Sequence, residues 1–356
     1  TMSGLTSMAT GLQAIAETLA KHGGIPIPVK LLAILLALMI GAVIYRGIRE
    51  SMWANLVCTV IEIAGLVFII AVGMKYWGNV NYLEAPPQAA GMGIAGISLI
   101  VILQGAVLTF FSFIGFEDIL NVSEEVKNPR KAIPFGLIGA MVSATIIYMA
   151  VAITAVSVVP WKELADSPAP LMHVAKVAAP WFGGLDKVYI VITIFSIGNT
   201  ALLNYLMGSR LLYGMSKQGL LPVFLGKVHV VRRTPHIAVG VLFLIVTALI
   251  LAGGVKQLAE ATALLLLTVF AVVNISLVVL QRRPGEPKGG FEVPAWVPIA
   301  GAIVCVILIG SRIHGAFQSH DSSSHIAPLV AGGIIGLSLL LYRVLKPSTG
   351  VAAEDV

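Results

Sequence analysis

The sequence predicts an all-α integral membrane protein. Of its 356 residues, 58% are hydrophobic and only 11% are charged, and the mean hydropathy is +0.95. A soluble domain carries about 25% charged residues, so this composition excludes a water-soluble globule. The chain is therefore best divided into apolar spans of about 20 residues, the length that an α-helix needs to cross a bilayer.

Nine apolar spans are predicted, and a shorter, weakly apolar segment near 5–20 precedes them. The breaks between spans carry turn chemistry, such as Asn128-Pro129, Gly253-Gly254 and Pro284-Gly285. In chain order, the spans cover approximately 29–45, 55–74, 95–113 with a continuation at 117–126, 134–158, 186–214, 236–252, 258–281, 295–311 and 326–345.

The third span is interrupted by Ile114-Gly115, and two carboxylates, Glu117 and Asp118, follow shortly after it. Backbone polar groups in hydrocarbon must be satisfied internally, so a broken helix is tolerated there only if it lines a cavity or is buried in protein. Ionisable groups inside a spanning segment are costly and indicate a function. The break is therefore the candidate functional site, and a plain glycine kink inside a packed bundle is the alternative.

Lys and Arg are unevenly distributed between alternate loops. One set of loops holds fifteen of them and the other set holds eight. Because cytoplasmic loops carry the excess of positive charge, the first set, which includes the C-terminus, is predicted to be cytoplasmic. The same bias is sufficient to explain the basic segment 210–233, for which a nucleic-acid or lipid patch is the alternative.

No pattern in the sequence indicates enzymatic chemistry. The two cysteines, Cys58 and Cys305, each lie in an apolar run, and His314, His320 and His325 are too loosely spaced for a metal site. The sequence contains neither a P-loop nor a G-x-S-x-G elbow. We therefore predict a protein that is not an enzyme and that has no cofactor, metal or nucleic-acid partner.

Three motifs follow one another along the chain. They are FSFIGFE at 111–117 with EEVKNPRKAIP at 124–134, GSRLLYGM at 208–215 with GLLP at 219–222, and LAEATA at 258–263. In these motifs the chain resembles the amino acid–polyamine–organocation (APC) permeases. Similar runs occur there at the broken sixth helix and the loop after it, at the end of the eighth helix and at the start of the tenth. The similarity extends over essentially the whole chain.

The resemblance implies an inverted-repeat (5+5) secondary-transporter fold. The nine spans would be the fourth to the twelfth helices, and residues 5–20 the end of the third. Residues 1–356 are thus expected to form a single truncated transmembrane transporter domain, which lacks the first two helices and most of the third. Only the second repeat, at about 95–281, is then complete.

The resemblance also implies a function, the secondary active transport of an amino acid or related organic amine across the cytoplasmic membrane. The proton is the expected coupling ion, with sodium coupling left open. An amino acid exchanger and a carrier of polyamines or other organocations are alternatives within transport. A non-transporting membrane scaffold subunit is an alternative of a different class. The lipid bilayer and a small-molecule substrate are the expected partners.

The expected substrate site lies at the break. Unwinding there exposes backbone carbonyls that suit an ammonium group, while the N-terminus of the half-helix at 117–126 suits a carboxylate, so an amino acid zwitterion fits both. By resemblance, Phe111 covers the substrate, with core packing as the alternative. Asn199 belongs to a polar stripe in the span 186–214. The substrate-binding candidates are Phe111, Ser112, Phe113, Ile114, Gly115, Glu117 and Asn199.

Glu62 and Glu117 are the candidates for proton coupling. Glu62 lies inside the span 55–74, where a carboxyl must be either protonated or paired. By resemblance, this helix borders the place of a sodium ion or a titrating side chain, and Glu117 matches a glutamate of the family motif. The alternatives are a hydrogen-bonded structural carboxyl at Glu62 and, for the neighbouring Asp118, a helix cap.

The charge distribution predicts which loops are reachable from each side of the membrane. A cysteine placed beside Arg130, in a chain without Cys58 and Cys305, is expected to react with an impermeant reagent only after the cells are opened. A cysteine beside Lys162 is the matched control and is expected to react in intact cells. Labelling in the opposite pattern would overturn the topology.

Overall fold

The computed structural model describes residues 2–46, 52–82, 84, 93–94, 97–116, 126–167, 169–230, 232, 234–285, 292–318 and 322–345. Within these ranges the chain forms twelve α-helices and one antiparallel ribbon, in which β1 (Gly93–Ile94) pairs with β2 (Ile97–Ser98). The helices are α1 (Met2–His22), α2 (Val29–Arg46), α3 (Met52–Gly73), α4 (Leu99–Phe110), α5 (Pro129–Val158), α6 (Trp161–Asp166), α7 (Pro170–Ala178), α8 (Leu185–Lys217), α9 (His236–Ala252), α10 (Val255–Gln281), α11 (Trp296–Gln318) and α12 (Ile326–Leu345).

The apolar helices confirm the all-α membrane class. Two shorter ones, Leu99–Phe113 and His236–Ala252, lie at two of the nine predicted spans. Helices long and apolar enough to cross a membrane account for the other seven among the described residues. They are Val29–Arg46, Leu56–Tyr76, Pro129–Val158, Leu185–Lys217, Val255–Gln281, Trp296–Gln318 and Ser323–Val344.

Two helices begin away from the approximate limits of their predicted spans, each for a local reason. The third span was expected from residue 95, but α4 begins at Leu99 because Ile97 and Ser98 belong to the ribbon. The next span was expected from residue 134, but α5 begins at Pro129. Proline suits the first position of a helix, where its missing N–H has no partner to lose, so the helix starts there and runs on through Pro134.

The weakly apolar segment near 5–20 forms the 21-residue helix α1, whose side chains are largely buried. Two short helices, α6 and α7, follow α5 and were not predicted. Many Leu, Ile and Val side chains of the other helices are exposed. Exposed apolar surface on this scale would be unusual for a soluble monomer and is expected of helices that face lipid.

The chain divides into two compact units. Unit 1 comprises Thr1–Glu62, Lys187–Thr262 and His325–Val356, and unit 2 comprises Ile63–Asp186 and Ala263–Ser324. In unit 1, α1, α2 and α9 pack against one another around a common apolar core. In unit 2, α4 packs on α11 and α5 packs on α7.

Small residues allow the helices of unit 1 to approach closely. A Cβ atom on Gly41 would lie 3.0 Å from the hydroxyl of Tyr205 and 3.1 Å from its ring. Tyr205 is fully buried, and its hydroxyl donates to the carbonyl of Val239 at 2.8 Å. Gly208 similarly faces Leu242. Close approach of this kind is how helices associate in lipid, where burial of apolar surface gives no driving force.

The end of α9 in unit 1 is closed by side chains from other helices. The amide of Gln13, which is buried, donates to the carbonyls of Ile250 and Gly253 at 2.9 and 2.8 Å. The ammonium group of Lys30 donates to the carbonyl of Leu251 at 3.0 Å. The last carbonyls of a helix have no partner within it, so these contacts satisfy groups that would otherwise be unpaired.

In unit 2, the segment after α3 is held on the end of α5 by two polar pairs. The indole of Trp77 donates to the hydroxyl of Thr154 at 2.9 Å, and the hydroxyls of Tyr82 and Ser157 lie 2.9 Å apart. The N–H of Gly78 donates to the Tyr82 oxygen at 2.7 Å. This bond, together with the Ser157 hydroxyl, lowers the pKa of Tyr82 because both favour the phenolate.

The contact between Gly41 and Tyr205 predicts a stability difference between two glycine-to-alanine changes. We expect Gly41→Ala to destabilise the protein by about 1 to 3 kcal/mol, because Tyr205 is enclosed and hydrogen-bonded and cannot move aside. Gly139→Ala in α5 is the matched control, since nothing lies within 4 Å of its added Cβ. Thermal unfolding in detergent measures both variants. Equal melting temperatures would contradict the packing at Gly41.

Candidate binding site at the helix break

The helix that begins at Leu99 ends at the place where the sequence predicted a break. After α4, a 3₁₀ turn covers Phe111–Phe113, and the amide of Ile114 donates to the carbonyl of Phe111 at 3.2 Å. Ile114 then has extended backbone, with φ −66° and ψ 136°. The helix α4 therefore ends where the sequence predicted the break, and the backbone at Ile114 leaves the helical path.

Gly115 follows with φ +120°. L-residues rarely adopt this conformation, and it is open to glycine because glycine has no Cβ. A Cβ built on Gly115 would meet no heavy atom within 4 Å. The backbone angle, not a lack of space, therefore explains why glycine suits this position.

Aromatic rings fix the two sides of the break. The ring of Phe113 lies edge-on to that of Tyr148 on α5, with the centroids 5.3 Å apart. On α10, Phe270 contacts Phe110 at 6.1 Å and Phe116 at 5.5 Å. Such aromatic pairs contribute about 0.5 to 1.5 kcal/mol beyond their area burial. The unwound segment is thus held between α5 and α10.

The predicted substrate-binding residues at the break differ in exposure. Phe111, Phe113 and Ile114 are half-buried, whereas Ser112 and Gly115 are exposed. These exposures do not test the roles assigned to the residues, which stay predictions. For Phe111, both covering the substrate and core packing stay open. Glu117, Asp118 and the rest of the expected half-helix at 117–126, as far as residue 125, lie outside the described residues.

Asn199 lies on α8 in unit 1 and is half-buried. It makes interactions within the structure. Its neighbour in the polar stripe, Thr200, donates to the carbonyl of Ser196 at 3.2 Å, one turn earlier in the same helix. The Thr200 hydroxyl therefore has a hydrogen-bond partner within α8. Asn199 stays the residue of this stripe that is predicted to bind the substrate.

The proton-coupling candidate Glu62 lies on α3 and is half-buried. No Lys, Arg or His of the described residues forms an ion pair with it. The role of Glu62 in proton coupling therefore stays a prediction.

Sequence reasoning missed a second carboxyl inside an apolar span. Glu260 on α10 is buried, with 7% of its surface exposed, and it makes interactions within the structure. Two residues later, the hydroxyl of Thr262 lies 2.7 Å from that of Thr6 on α1. The available signal was the carboxylate itself, which stands inside the predicted span 258–281.

Tyr148 and Phe270 were also missed, and for them the sequence offered no signal. Each is one aromatic residue in a long apolar span, and nothing in its spacing distinguishes it from residues that face lipid. Their contacts with the break depend on how α5 and α10 pack in unit 2.

Known proteins resemble this chain over most of its length. It is 30% identical to the methylthioribose transporter of Bacillus subtilis over 85% of this chain and 66% of that protein. It is 29% identical to the branched-chain amino acid permease BcaP of Lactococcus lactis over 82% of this chain and 61% of that protein. For the vacuolar cationic amino acid transporter 4 of Arabidopsis thaliana, the identity is 31%, over 79% and 46% of the two chains.

The chain spans less than two thirds of the length of these relatives. The relatives are transporters, in agreement with the prediction that the chain is not an enzyme. A family model described as "Amino acid permease" matches residues 1–338. With its apolar helices and this match over nearly its whole length, the chain is a multi-pass membrane protein that belongs to the amino acid permease family of the APC superfamily.

Proposed function

We propose that this chain forms the core of a secondary carrier that moves an amino acid or a related organic amine across the cytoplasmic membrane. The observation that carries the proposal is the end of α4 in a 3₁₀ turn, followed by irregular backbone at Ile114 and Gly115, in a chain of the amino acid permease family. Irregular backbone inside a spanning segment is tolerated where it is buried in protein or lines a cavity, and secondary transporters build their substrate sites from such segments.

The C-terminal end of α4 provides the partial negative charge that an ammonium group needs. The last carbonyls of a helix lack partners within it and carry the negative end of the helix dipole. Because α4 ends at Phe110, the carbonyls at its end and in the following turn bind the substrate ammonium in this proposal, except that of Phe111, which accepts from the amide of Ile114. The positive N-terminus of the half-helix expected at 117–126 binds the carboxylate.

The aromatic rings beside the break favour an apolar substrate side chain. Phe113 with Tyr148, and Phe110 and Phe116 with Phe270, form an apolar boundary on the described side of the break. Such a boundary stabilises an aliphatic or aromatic group by removing it from water. The branched-chain specificity in the name of one relative supports this choice.

A cationic amino acid or another organocation is the second candidate substrate. Glu117 and Asp118 stand next to the break in the sequence, and one relative is named a cationic amino acid transporter. An acidic pair suits a second ammonium group, and the rings offer cation–π contacts. Competition between labelled leucine and unlabelled lysine separates the two candidates.

Three further features belong to the same proposal. Residues 1–356 act as part of one transmembrane transporter domain of the inverted-repeat (5+5) fold, with 95–281 as its second repeat. The C-terminus lies in the cytoplasm, as the distribution of Lys and Arg favours. Glu62 and Glu117 are the proton-coupling candidates, and the buried Glu260 joins them on the evidence of its burial.

The proposed function predicts gradient-driven uptake that depends on one of these carboxyls. The chain, together with any residues that its gene encodes on either side, is reconstituted in proteoliposomes, and uptake of labelled leucine is measured with and without an inward proton gradient. We expect accumulation only with the gradient. Among Glu62→Gln, Glu117→Gln and Glu260→Gln, the variant of the coupling residue binds leucine but does not accumulate it, because an amide cannot carry the proton.

Glu163→Gln is the matched control, since Glu163 is exposed on α6 outside the spanning helices. Failure of the unaltered protein to take up amino acids, with binding absent as well, would favour the scaffold alternative. Uptake that requires an internal amino acid would favour exchange. If all three Gln variants accumulate leucine with an unchanged pH profile, proton coupling through these carboxyls is wrong.

The backbone at Gly115 predicts a loss of transport on a minimal substitution. Gly115→Ala forces a Cβ into a conformation that costs about 1 to 3 kcal/mol, and relief of this strain shifts the turn that presents the carbonyls. We expect leucine uptake to fall roughly tenfold or more at unchanged expression. Gly105→Ala in α4 is the control, because its added Cβ meets nothing within 4 Å and its backbone is helical. Equal uptake by both variants would contradict a role for the turn.

A further inference from the structure

The described residues between α8 and α9, which are 218–230, 232, 234 and 235, present basic and apolar side chains together. Val223 and Val230 are 81% and 91% exposed, and Phe224 and Val228 are also exposed. Two cations, Lys227 and Arg232, stand among them and are exposed as well. We refer to Val223, Phe224, Lys227, Val228, Val230 and Arg232 as the basic–apolar surface.

The exposed side chains stand on a segment that is firmly held. After α8, Leu225 is buried, and the hydroxyl of Ser216 donates to the carbonyl of Pro222 at 2.9 Å. Further along, the amide of His229 donates to the carbonyl of Thr234 at 2.9 Å, and the hydroxyl of Thr234 donates to the carbonyl of Tyr45 at 3.2 Å. The high exposure of the two valines is therefore a property of a folded segment.

Aromatic contacts and a cation–π contact hold this segment against the neighbouring helices. The ring of His229 lies edge-on to those of Tyr45 and His236, with both centroid distances 5.9 Å. The guanidinium of Arg232 lies over the ring of Tyr45, 4.4 Å from its centroid, and its backbone amide donates to Nδ1 of His229 at 3.3 Å. Arg232 thus keeps its charge at the surface while its stem is fixed against α2.

The charge of the segment has one sign. From Lys217 to His236 the sequence contains four basic residues, Lys217, Lys227, Arg232 and Arg233, and no Asp or Glu. Orientation by the positive-inside bias requires the charge alone and leaves the exposed valines unexplained. A surface on which cations alternate with protruding apolar groups has the chemistry of an interfacial segment, which inserts apolar groups below the headgroups while its cations meet anionic lipid.

The length of α9 brings this surface to the membrane boundary. Its 17 residues extend about 26 Å, a few ångströms less than the hydrocarbon thickness of about 30 Å. A short span is accommodated when flanking residues are drawn towards the bilayer or the bilayer thins. We therefore expect the residues just before His236 to lie at the level where headgroups meet acyl chains.

We propose that the basic–apolar surface binds anionic phospholipid headgroups, with Val223 and Val230 inserted among the acyl chains and Lys227 and Arg232 at the phosphates. The surface is a lipid-binding site of this permease, and it does not depend on which substrate the protein transports. It makes the packing of α2, α8 and α9 in unit 1 responsive to the lipid composition of the membrane.

The test measures lipid contact at the surface itself. A fluorescent bimane is attached at Val230→Cys in a Cys58→Ala/Cys305→Ala background, and the protein is placed in phosphatidylcholine nanodiscs in which a third of the lipid is brominated phosphatidylglycerol or brominated phosphatidylcholine. We expect quenching by both lipids and a preference for phosphatidylglycerol. Lys227→Gln is expected to lower the preference roughly fivefold, and high salt to abolish it.

Lys256→Gln, an exposed lysine at the start of α10, is the charge control and leaves the preference unchanged. Val177→Cys on α7 is the control for the position of the bimane. Val177 is exposed, and the charge of its neighbour Lys176 is paired with Asp186. Equal quenching by both brominated lipids would overturn headgroup recognition. Quenching by aqueous iodide but by neither lipid would show that the surface faces water or a protein partner, and would also overturn the proposal.

A second measurement requires no cysteine variant. The unaltered chain is expected to melt at a higher temperature in nanodiscs that contain phosphatidylglycerol than in phosphatidylcholine alone, and Lys227→Gln is expected to reduce that difference while Lys256→Gln keeps it. Identical melting temperatures of the unaltered chain in the two lipids would contradict the proposal.

Discussion

The structure depends on one constraint, which is that every backbone N–H and C=O in the hydrocarbon layer needs a partner within the protein. Helices meet this demand along their length, and side chains meet it where helices end. Gln13 and Lys30 reach the final carbonyls of α9 from α1 and from the start of α2. Hydroxyls such as those of Thr10 and Thr154 are satisfied by the carbonyl one turn earlier in their own helix.

The same constraint gives the break after α4 its significance. Over Phe111–Gly115 the backbone leaves the helix, and the groups released there need partners that the helix does not supply. The rings of Tyr148 and Phe270 hold the segment from two sides, so the unwound conformation is part of the folded structure. A substrate with an ammonium and a carboxylate group would satisfy such groups in turn, which links the physical demand of the bilayer to the proposed transport.

Packing in each unit relies on small residues and buried hydrogen bonds. In unit 1, Gly41 admits Tyr205, whose hydroxyl bonds across to α9. In unit 2, Gly301 and Gly315 on α11 face the amide side chains of Asn274 and Gln104. Lipid tails are as apolar as the helix surface, so burial of that surface gives no free energy for helix association in a bilayer. Close backbone approach and polar contacts must therefore hold the helices together. The burial of Glu260 is tolerated in the same way, since it makes interactions within the structure.

The sequence by itself determined the membrane class, the nine apolar spans and the break at Ile114-Gly115. These are local properties, because hydropathy over about 20 residues decides whether a segment partitions into a bilayer, and a glycine followed by carboxylates interrupts it. The three family motifs are also local in the chain, which is why membership of the permease family was predictable from them.

Only the tertiary structure decided which side chains surround the break and which polar groups are buried. Tyr148 contacts Phe113, and Gln13 caps carbonyls at Ile250 and Gly253, more than 200 residues away in the chain. The burial of Glu260 likewise depends on neighbours that hydropathy does not identify. A bilayer selects spans by composition, but the partner of each polar group in it is set by helix packing, which joins residues distant in sequence.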